Sequence, residues 1–185
     1  RHTQAEGAIL AKTEGAAAHS RVIEQVRLCA GLVGISDCLR SDVDARNAEA
    51  NRPPGYDGFC RERDLPVGED TVVRFATPDT GTVAFDDVIR GNVSFECSNL
   101  EDFVIARSDG SVTFLIANAI DDAAMGITHV VRGEDLLNTT PKAVLLRRAM
   151  GIEDQPIFAH LPLIVGEGRK KLSKRCDYVS VENYR

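Results

Sequence analysis

The sequence lacks long apolar runs, a leader-like start and internal repeats, and each absence excludes a class of protein. No stretch of about 18 apolar residues occurs in the 185 residues, so no transmembrane helix is predicted. Residues Arg1 to Gln4 lack the apolar core of a secretory signal, and the first residue is not Met. This start suggests a fragment or a processed product.

Charge and cysteine content narrow the class further. A net charge of -6 argues against a surface that binds nucleic acid throughout, but it is compatible with a local basic patch. Such a patch is present between residues 169 and 175: Arg169, Lys170, Lys171, Lys174 and Arg175. The five cysteines are an odd number without a secretory signal, which favours a reducing compartment, the cytoplasm.

Residues 1–116 predict helices followed by strands. An Ala-rich segment over residues 1–33 predicts two helices, and residues 44–49 predict a short one. The Pro- and Gly-rich residues 52–58 predict a loop. Short β-rich runs between residues 71 and 116 predict one antiparallel meander, with a hairpin turn at 108–111 that leads into a strand over 112–116.

Residues 117–166 predict alternating helices and strands. Residues 118–125 predict a helix, 127–131 a strand, and 157–165 a buried strand that Pro162 could interrupt. Thr139-Thr140-Pro141 predicts a helix start with a hydroxyl cap, and Gly151 predicts the end of that helix. A β-α-β order favours a parallel sheet with ligands at the carboxyl ends of its strands.

The basic residues near the carboxyl end follow a glycine-rich segment. Lys171 and Lys174 stand on either side of Ser173, and the stretch follows Gly166-Glu167-Gly168 after two further basic residues. Lysines at this spacing can fold over a polyphosphate and stabilise a pyrophosphate leaving group. A solvated basic turn is the alternative interpretation.

Three segments in one order resemble a known family. Residues 171–175, Lys-Leu-Ser-Lys-Arg, resemble the "KMSKS" signature of class I aminoacyl-tRNA synthetases, in the spelling common in glutamyl-tRNA synthetases. Residues 158–163 resemble the strand that this family has before the signature, and residues 121–141 are similar to a segment further upstream. The resemblance covers residues 36–185 well and residues 1–35 poorly.

The resemblance implies ATP-binding and catalytic roles for the basic loop. Lys171, Ser173 and Lys174 would be catalytic, and Lys171, Leu172 and Lys174 would bind ATP with its Mg²⁺. It further implies a glutamate pocket with Arg132, Asn118, Phe114 and Asp135. Phe114 stands where many relatives have Tyr, so a contact through that hydroxyl is lost.

Arg132 also has an interpretation from the residues alone. It follows an apolar run and precedes Gly133, at a predicted strand end, where a guanidinium can hold a carboxylate. A salt bridge to Glu134 or Asp135 is the alternative. His160 lies in an apolar run and is expected to be a core histidine. The acidic pair Asp121 and Asp122 is expected to have structural or tRNA-facing duties.

The resemblance also implies a possible metal site. Some glutamyl-tRNA synthetases carry zinc on Cys-x-Cys, a Tyr, and a Cys four residues later; Cys38, Tyr56 and Cys60 match three of these positions. Ser36 occupies the first position, and a neutral Ser is a poor zinc ligand. Zinc binding and a zinc-free remnant of the same loop are the two alternatives.

Together these features predict an α/β fold: the second half of a Rossmann-like class I synthetase catalytic domain with a β-rich acceptor-binding insertion. The expected segments are a helical segment over residues 1–35, the insertion with a zinc-like loop over 36–111, and the half-domain over 112–185. The family's "HIGH" element is absent, so we expect little activity from the chain alone.

The expected function is glutamate–tRNA ligase, with L-glutamate, ATP and tRNA(Glu) as partners and a monomeric full-length protein. One alternative is a glutamyl-queuosine tRNA(Asp) synthetase, which the intact residues 171–175 argue against. The other is a non-catalytic tRNA-binding module built on the residue 67–116 meander and a helix over residues 140–150 with Lys142, Arg147 and Arg148.

Overall fold

The computed structural model of the protein describes residues 33–165, a range that contains both strands and helices. In chain order the elements are β1 (Val33–Ser36), α1 (Arg40–Glu49), β2 (Val72–Phe75), β3 (Thr82–Asp87), β4 (Gly91–Glu96), β5 (Phe103–Ala106), α2 (Phe114–Ala124), β6 (His129–Gly133), α3 (Thr140–Ala149) and β7 (Ile157–Leu161). Short 3-10 segments cover Cys97–Asn99 and Glu134–Thr139. The predicted residue 44–49 helix is therefore confirmed, but it begins at Arg40. The helices predicted in residues 1–33 lie outside the described residues, apart from Val33, which begins β1.

The strands form two sheets, so the predicted single meander is wrong. A three-stranded antiparallel sheet has the order β1-β2-β5, and a four-stranded sheet has the order β4-β3-β7-β6. The aromatic contacts give the reason: Phe75 of β2 stacks on Phe103 of β5 at 5.2 Å, whereas Phe85 of β3 packs edge-on against Phe158 of β7 at 5.3 Å. Burial against distant partners decided the pairing, and sequence order did not.

The predicted parallel arrangement is confirmed in the four-stranded sheet. Strand β7 runs parallel to both β3 and β6, while β4 pairs with β3 as an antiparallel hairpin. The carboxyl ends of β3, β7 and β6, at Asp87, Leu161 and Gly133, therefore lie at one edge of the sheet. Hairpin β3–β4 precedes residue 111 and strands β6 and β7 follow it, yet all four strands belong to this one sheet. The segment boundary at residue 111 stays a prediction.

The strand predicted over residues 112–116 is wrong, because α2 begins at Phe114. The turn before it is present: Asp109 Oδ1 accepts from the Ser111 N–H at 2.8 Å, and an isolated bridge joins Ala106 to Val112. The buried residues Ile116, Ala119 and Ile120 follow a helical spacing, which the short apolar run at 112–116 conceals.

Helices α2 and α3 end in the same way. Each is followed by a glycine with positive φ, Gly126 at 64° and Gly151 at 72°, a backbone conformation that closes a helix at little cost only for glycine. The predicted stop at Gly151 is confirmed. The predicted cap is wrong: Thr139 donates its hydroxyl back to the Leu136 carbonyl at 2.6 Å, because a 3-10 turn leads directly into α3.

One face of the four-stranded sheet is packed and the other is open. Val83, Phe85, Phe158 and His160 are buried in the core, to which α2 and α3 contribute Ile116, Val144 and Leu146. Val131, Ile157 and Leu161 alternate with these positions and are 64%, 48% and 48% exposed. Among residues 33–165, no helix has the length and apolarity to cross a membrane.

Candidate functional site

Arg132 lies at the carboxyl edge of the parallel strands, on the packed face of the sheet. It is the last residue but one of β6, and its register partner is His160 of β7. Its Nε donates to His160 Nε2 at 3.1 Å, and its Nη2 donates to Thr140 Oγ1 at 2.8 Å. Burial lowers the pKa of Arg132, although the nearby Asp122 carboxylate opposes this shift. The expected strand-end position is therefore occupied by a guanidinium that the protein holds at two nitrogens.

His160 and Asp87 stand behind Arg132 and complete a polar line across three strands, which we name the Arg132 row. His160 Nδ1 lies 2.6 Å from Asp87 Oδ2, and both side chains are fully buried. Asp87 also accepts backbone N–H bonds from Ile89 and Arg90, each at 3.0 Å. Burial alone would raise the pKa of Asp87, but the bonds from His160 and from these N–H groups lower it to about 2.

The expected burial of His160 is confirmed, and its hydrogen bonds on both ring nitrogens were not foreseen. Asp87 was missed altogether. It lies 73 residues before His160 in the chain, and the only sequence signal was an acidic residue at the end of a β-rich run. Nothing in a single sequence pairs these two positions.

Two of the expected pocket residues lie on α2. Phe114 is the first residue of α2 and is 60% exposed, and Asn118 follows one turn later and is half-buried. Asp122 lies one further turn along the same face and is close enough to Arg132 for their charges to interact. Burial raises the pKa of Asp122, and the nearby guanidinium groups of Arg147 and Arg132 partly offset this shift.

Glu134 and Asp135 follow β6 directly and were the alternative partners of Arg132. The Glu134 carboxylate pairs instead with Arg90, and its Oε1 accepts from the Leu163 N–H at 3.1 Å. Asp135 is exposed, and its Oδ1 would lie 2.5 Å from a Cβ added to Gly133. Because Gly133 has no side chain, it leaves room for the Asp135 carboxylate at the strand end.

The expected phosphate-binding loop cannot be placed in this geometry. Its residues lie outside the described residues: Lys171, Leu172, Ser173, Lys174 and Arg175. Their roles stay predictions.

A second polar group, the thiol cluster, consists of Asp37, Cys38 and Cys60, between β1 and the residue 52–63 loop. The two Sγ atoms are 3.1 Å apart, and Asp37 Oδ1 lies 3.5 Å from Cys60 Sγ. The three donor atoms lie within 4.8 Å of one another, a spacing compatible with one metal ion. The structure thus brings Cys38 and Cys60 together as expected, and it adds Asp37, which the sequence comparison missed.

Tyr56 and Ser36 border the thiol cluster. The Tyr56 hydroxyl accepts from the Cys60 N–H at 2.9 Å, and burial raises the pKa of Tyr56 to about 12. Ser36 is 2% exposed, and its side chain lies against Tyr56 and Cys60, where it acts to lower the pKa of both. The four positions expected around zinc therefore meet in space, although Ser36 replaces a thiol.

Two arginines contact the sulphur atoms of the cluster. Arg46 donates to Cys38 Sγ at 3.3 Å, and Arg63 donates to Cys60 Sγ at 3.5 Å. Burial raises the pKa of Cys38; for Cys60, hydrogen bonds from Tyr56 and its other neighbours outweigh burial and lower the pKa. Cys60 is therefore the thiol that more readily becomes a thiolate.

Helix α3, which the tRNA-binding alternative would use, does not expose all of its basic side chains to solvent. Arg147 is 4% exposed and donates inward to the carbonyls of Ala119 and Asp154, so it is not available to a phosphate backbone. Lys142 lies 3.6 Å from the Glu101 carboxylate, and Arg148 is exposed. The use of Arg147 as an RNA contact is therefore wrong.

Comparisons with known proteins agree with this geometry. Residues 60–185 match the family model of the class I tRNA synthetases for glutamate and glutamine (E and Q), catalytic domain. A glutamate–tRNA ligase of Frankia casuarinae is 51% identical over 155 residues, which are 84% of this chain and 33% of that protein. A glutamate–tRNA ligase of Salinispora tropica is 49% identical over 94% of this chain and 36% of its own length.

Solved structures give the same result. A glutamate–tRNA synthetase of Elizabethkingia anophelis is 34% identical, with a TM-score of 0.73 over 88% of this chain and 36% of its own. A glutamate–tRNA ligase of Elizabethkingia meningosepticum in complex with its amino acid is 35% identical, with a TM-score of 0.72 over 86% of this chain and 35% of its own. This chain spans about a third of each relative. It belongs to the class I tRNA synthetase family for glutamate and glutamine and carries part of the Rossmann-like catalytic domain.

Proposed function

We propose that the protein is a glutamate–tRNA ligase, which activates glutamate with ATP to glutamyl-adenylate and transfers the glutamyl group to tRNA(Glu). The observation that carries this proposal is Arg132 at the carboxyl edge of the parallel strands, held at Nε and Nη2. A guanidinium fixed at a strand end is suited to an anionic substrate. Cytoplasmic location and a monomeric full-length protein belong to the same proposal.

The residues divide into two groups by role. Arg132 and Asn118 would hold glutamate, with Phe114 and Asp135 at the border of the pocket. Lys171, Leu172, Ser173 and Lys174 would bind ATP, whose Mg²⁺ neutralises phosphate charge and helps pyrophosphate to leave. Residues 36–111 would form the insertion that contacts the tRNA acceptor end, and residues 112–185 the second half of the catalytic domain.

The test uses a chimeric ligase in which this chain replaces the matching third of the Frankia casuarinae enzyme. Arg132→Ala should lower kcat/KM for glutamate in ATP–pyrophosphate exchange roughly 10- to 100-fold, since it removes a charged hydrogen-bonding group. Arg148→Ala, an exposed arginine on α3, is the matched control and should change nothing. Equal kinetics for both variants would overturn the glutamate role of Arg132.

Two further measurements bear on the ATP site. Lys174→Ala in the chimera should reduce adenylate formation and leave tRNA binding largely intact, because its charge would act on the phosphates. The purified 185-residue chain alone should show little exchange activity. Robust exchange by the chain alone would contradict this expectation.

We also propose that the thiol cluster binds a zinc ion through Asp37, Cys38 and Cys60. Two sulphurs and a carboxylate are three of the four ligands that zinc prefers, and Tyr56 or Ser36 can border the fourth position. A tetrahedral site separates its sulphurs by about 3.7 Å, so the 3.1 Å pair would open by roughly half an ångström. When bound, zinc would supply a cross-link between β1 and the residue 52–63 loop.

Metal analysis of the purified chain tests the zinc proposal. One equivalent of zinc should remain after gel filtration, and Co²⁺ substitution should give thiolate charge-transfer bands. Cys60→Ser should abolish both signals, whereas Cys97→Ser, at a buried cysteine outside the cluster, should retain them. Retention of the metal in Cys60→Ser would overturn the assignment.

A further inference from the structure

The Arg132 row crosses three parallel strands near their carboxyl ends, with Asp87 in register with Phe158, two residues before His160. Asp87 ends β3, while His160 and Arg132 are register partners near the ends of β7 and β6. The row is built from one carboxylate, one imidazole and one guanidinium, and it leads from the buried core to the half-buried Arg132. Because Asp87 contacts His160 and His160 contacts Arg132, the orientation of Arg132 depends on His160, and that of His160 depends on Asp87.

The tautomer of His160 follows from its neighbours. The Asp87 carboxylate lies against His160 Nδ1 and can only accept a hydrogen bond. The Nδ1 atom of His160 therefore carries the hydrogen and donates it to Asp87. Nε2 then has a lone pair, which accepts from Arg132 Nε at 3.1 Å and lies 3.0 Å from the Thr140 hydroxyl. The other tautomer would turn an N–H of His160 toward an N–H of Arg132.

The hydrogen bonds of Arg132 leave one side of the guanidinium available. Nε is bound by His160, and Nη2 donates to Thr140 with weaker contacts to Leu136 and Thr139 at 3.4 Å. Nη1 has no hydrogen-bond partner among residues 33–165. The side that carries Nη1 can therefore donate to a ligand while the opposite side stays fixed.

We propose that Asp87 and His160 are positioning residues, which fix the orientation of the Arg132 guanidinium for the substrate carboxylate. Asp87 selects the tautomer of His160, and His160 orients Arg132 by accepting at Nε2. This inference rests on the proposed function for its substrate, but the positioning itself can be measured without substrate. A guanidinium oriented before binding needs less ordering when the carboxylate arrives.

Nitrogen NMR of the purified chain is the first test. Long-range ¹⁵N–¹H correlation of the His160 ring should show the hydrogen on Nδ1, and the Arg132 Nε–H should be protected from exchange. The chain has four histidines, so a His160→Gln spectrum is sufficient for the assignment. A hydrogen on Nε2 in the wild-type chain would overturn the proposal.

Two substitutions at His160 separate its two contacts. His160→Asn keeps a donor near Asp87 and removes the acceptor at the Nε2 position, so protection of the Arg132 Nε–H should fall at least tenfold. His160→Gln offers an amide oxygen near the Nε2 position and should retain more of it. Unfolding curves identify variants that have lost the fold. Equal protection in wild type and a folded His160→Asn would overturn the proposal.

Asp87→Asn tests the residue behind the histidine. Its amide would donate to Nδ1 and should drive His160 to the tautomer with hydrogen on Nε2. Asp86→Asn, one residue earlier on the exposed face of β3, is the matched control and should leave the ring signals unchanged. An unchanged tautomer in Asp87→Asn would overturn the role of Asp87.

Kinetics of the chimeric ligase connect positioning to substrate. His160→Asn should raise KM for glutamate about tenfold, with a much smaller change in KM for ATP and partial recovery in His160→Gln. A merely structural role would change both KM values alike, and that result would overturn the proposal. If Arg132→Ala leaves glutamate kinetics unchanged, the proposed glutamate role of Arg132 fails, and the NMR results alone decide whether the row positions Arg132.

Discussion

The Arg132 row and the thiol cluster are both small polar groups that combine arginine with a carboxylate, but they differ in how completely the protein satisfies them. In the row, both nitrogens of the His160 ring and both oxygens of the Asp87 carboxylate have partners within the described chain. In the cluster, the two sulphurs contact each other at 3.1 Å, and a thiol is only a weak donor and a weak acceptor.

This difference indicates different roles for the two groups. In the row, the paired His160 ring and Asp87 carboxylate hold each other in one arrangement, and this buried pair needs no further ligand for stability. Two thiols and a carboxylate whose donor atoms converge within 4.8 Å are suited to a metal ion that would replace the weak contact between the sulphurs. A row that proved dispensable, or a cluster that proved stable without an ion, would contradict this difference.

The largest effect is expected for Asp87→Ala. The substitution leaves the His160 Nδ1–H and several backbone N–H groups buried without an acceptor, which should lower the free energy of unfolding by about 3–5 kcal/mol. Urea unfolding of the purified chain at pH 7 measures it. Asp86→Ala, at an exposed position of the same strand, should cost no more than about 0.5 kcal/mol. A loss below about 1 kcal/mol for Asp87→Ala would show that the row is dispensable.

The next effect concerns the thiol cluster and its proposed metal. Free zinc at about 100 times its dissociation constant should raise the free energy of unfolding by about 2.7 kcal/mol, because zinc binds the folded state. Thermal unfolding with zinc and with a chelator measures the difference. Cys60→Ser should remove the response and Cys97→Ser should keep it. No response in the wild-type chain would make the cluster as self-sufficient as the row.

Acid should weaken the row over a defined range. The pKa of Asp87 is about 2 in the folded protein and 3.8 as its ordinary value, so the folded state favours the carboxylate. This contribution, about 2 kcal/mol, is present above about pH 4 and is lost as the pH falls toward 2. The stability difference between wild type and Asp87→Asn should therefore shrink by about that amount between pH 5 and pH 2. A constant difference would contradict the depressed pKa.

The sequence predicted the parts of the fold that depend on local signals. Gly151 ended α3 because a positive φ after the helix suits glycine, and β6 and β7 paired in parallel as the β-α-β order indicated. The failures have a common cause. Strand β3 pairs with β7 and not, as the predicted meander required, with β2, because Phe85 packs against Phe158, which lies 73 residues later in the sequence. Long-range burial leaves no mark in a local pattern.

The candidate site shows the same division. Arg132 was identified from its position after an apolar run, together with the family resemblance. Asp87 was missed because its partner is distant in sequence, and Asp37 was missed because the zinc pattern directed attention to Cys38 and Cys60. The prediction that Arg147 contacts RNA was wrong because a basic residue on a helix was assumed to face solvent. Arg147 instead points inward from α3 and donates to the Ala119 carbonyl of α2.

The smallest effect is expected for Arg63→Ala, at the edge of the thiol cluster. Arg63 binds Asp37 at 2.6 Å, but the two side chains are 38% and 37% exposed, so water replaces much of what the pair contributes. The substitution should lower the free energy of unfolding by less than about 1 kcal/mol, and the effect should shrink further in 1 M NaCl. Arg61→Ala is the informative comparison, because Arg61 binds the buried Asp102 through two nitrogens and its loss should cost at least twice as much. If urea unfolding instead gave Arg63→Ala a cost above about 2 kcal/mol, the arginine would be what holds the cluster together, and the zinc proposal would lose its main physical support.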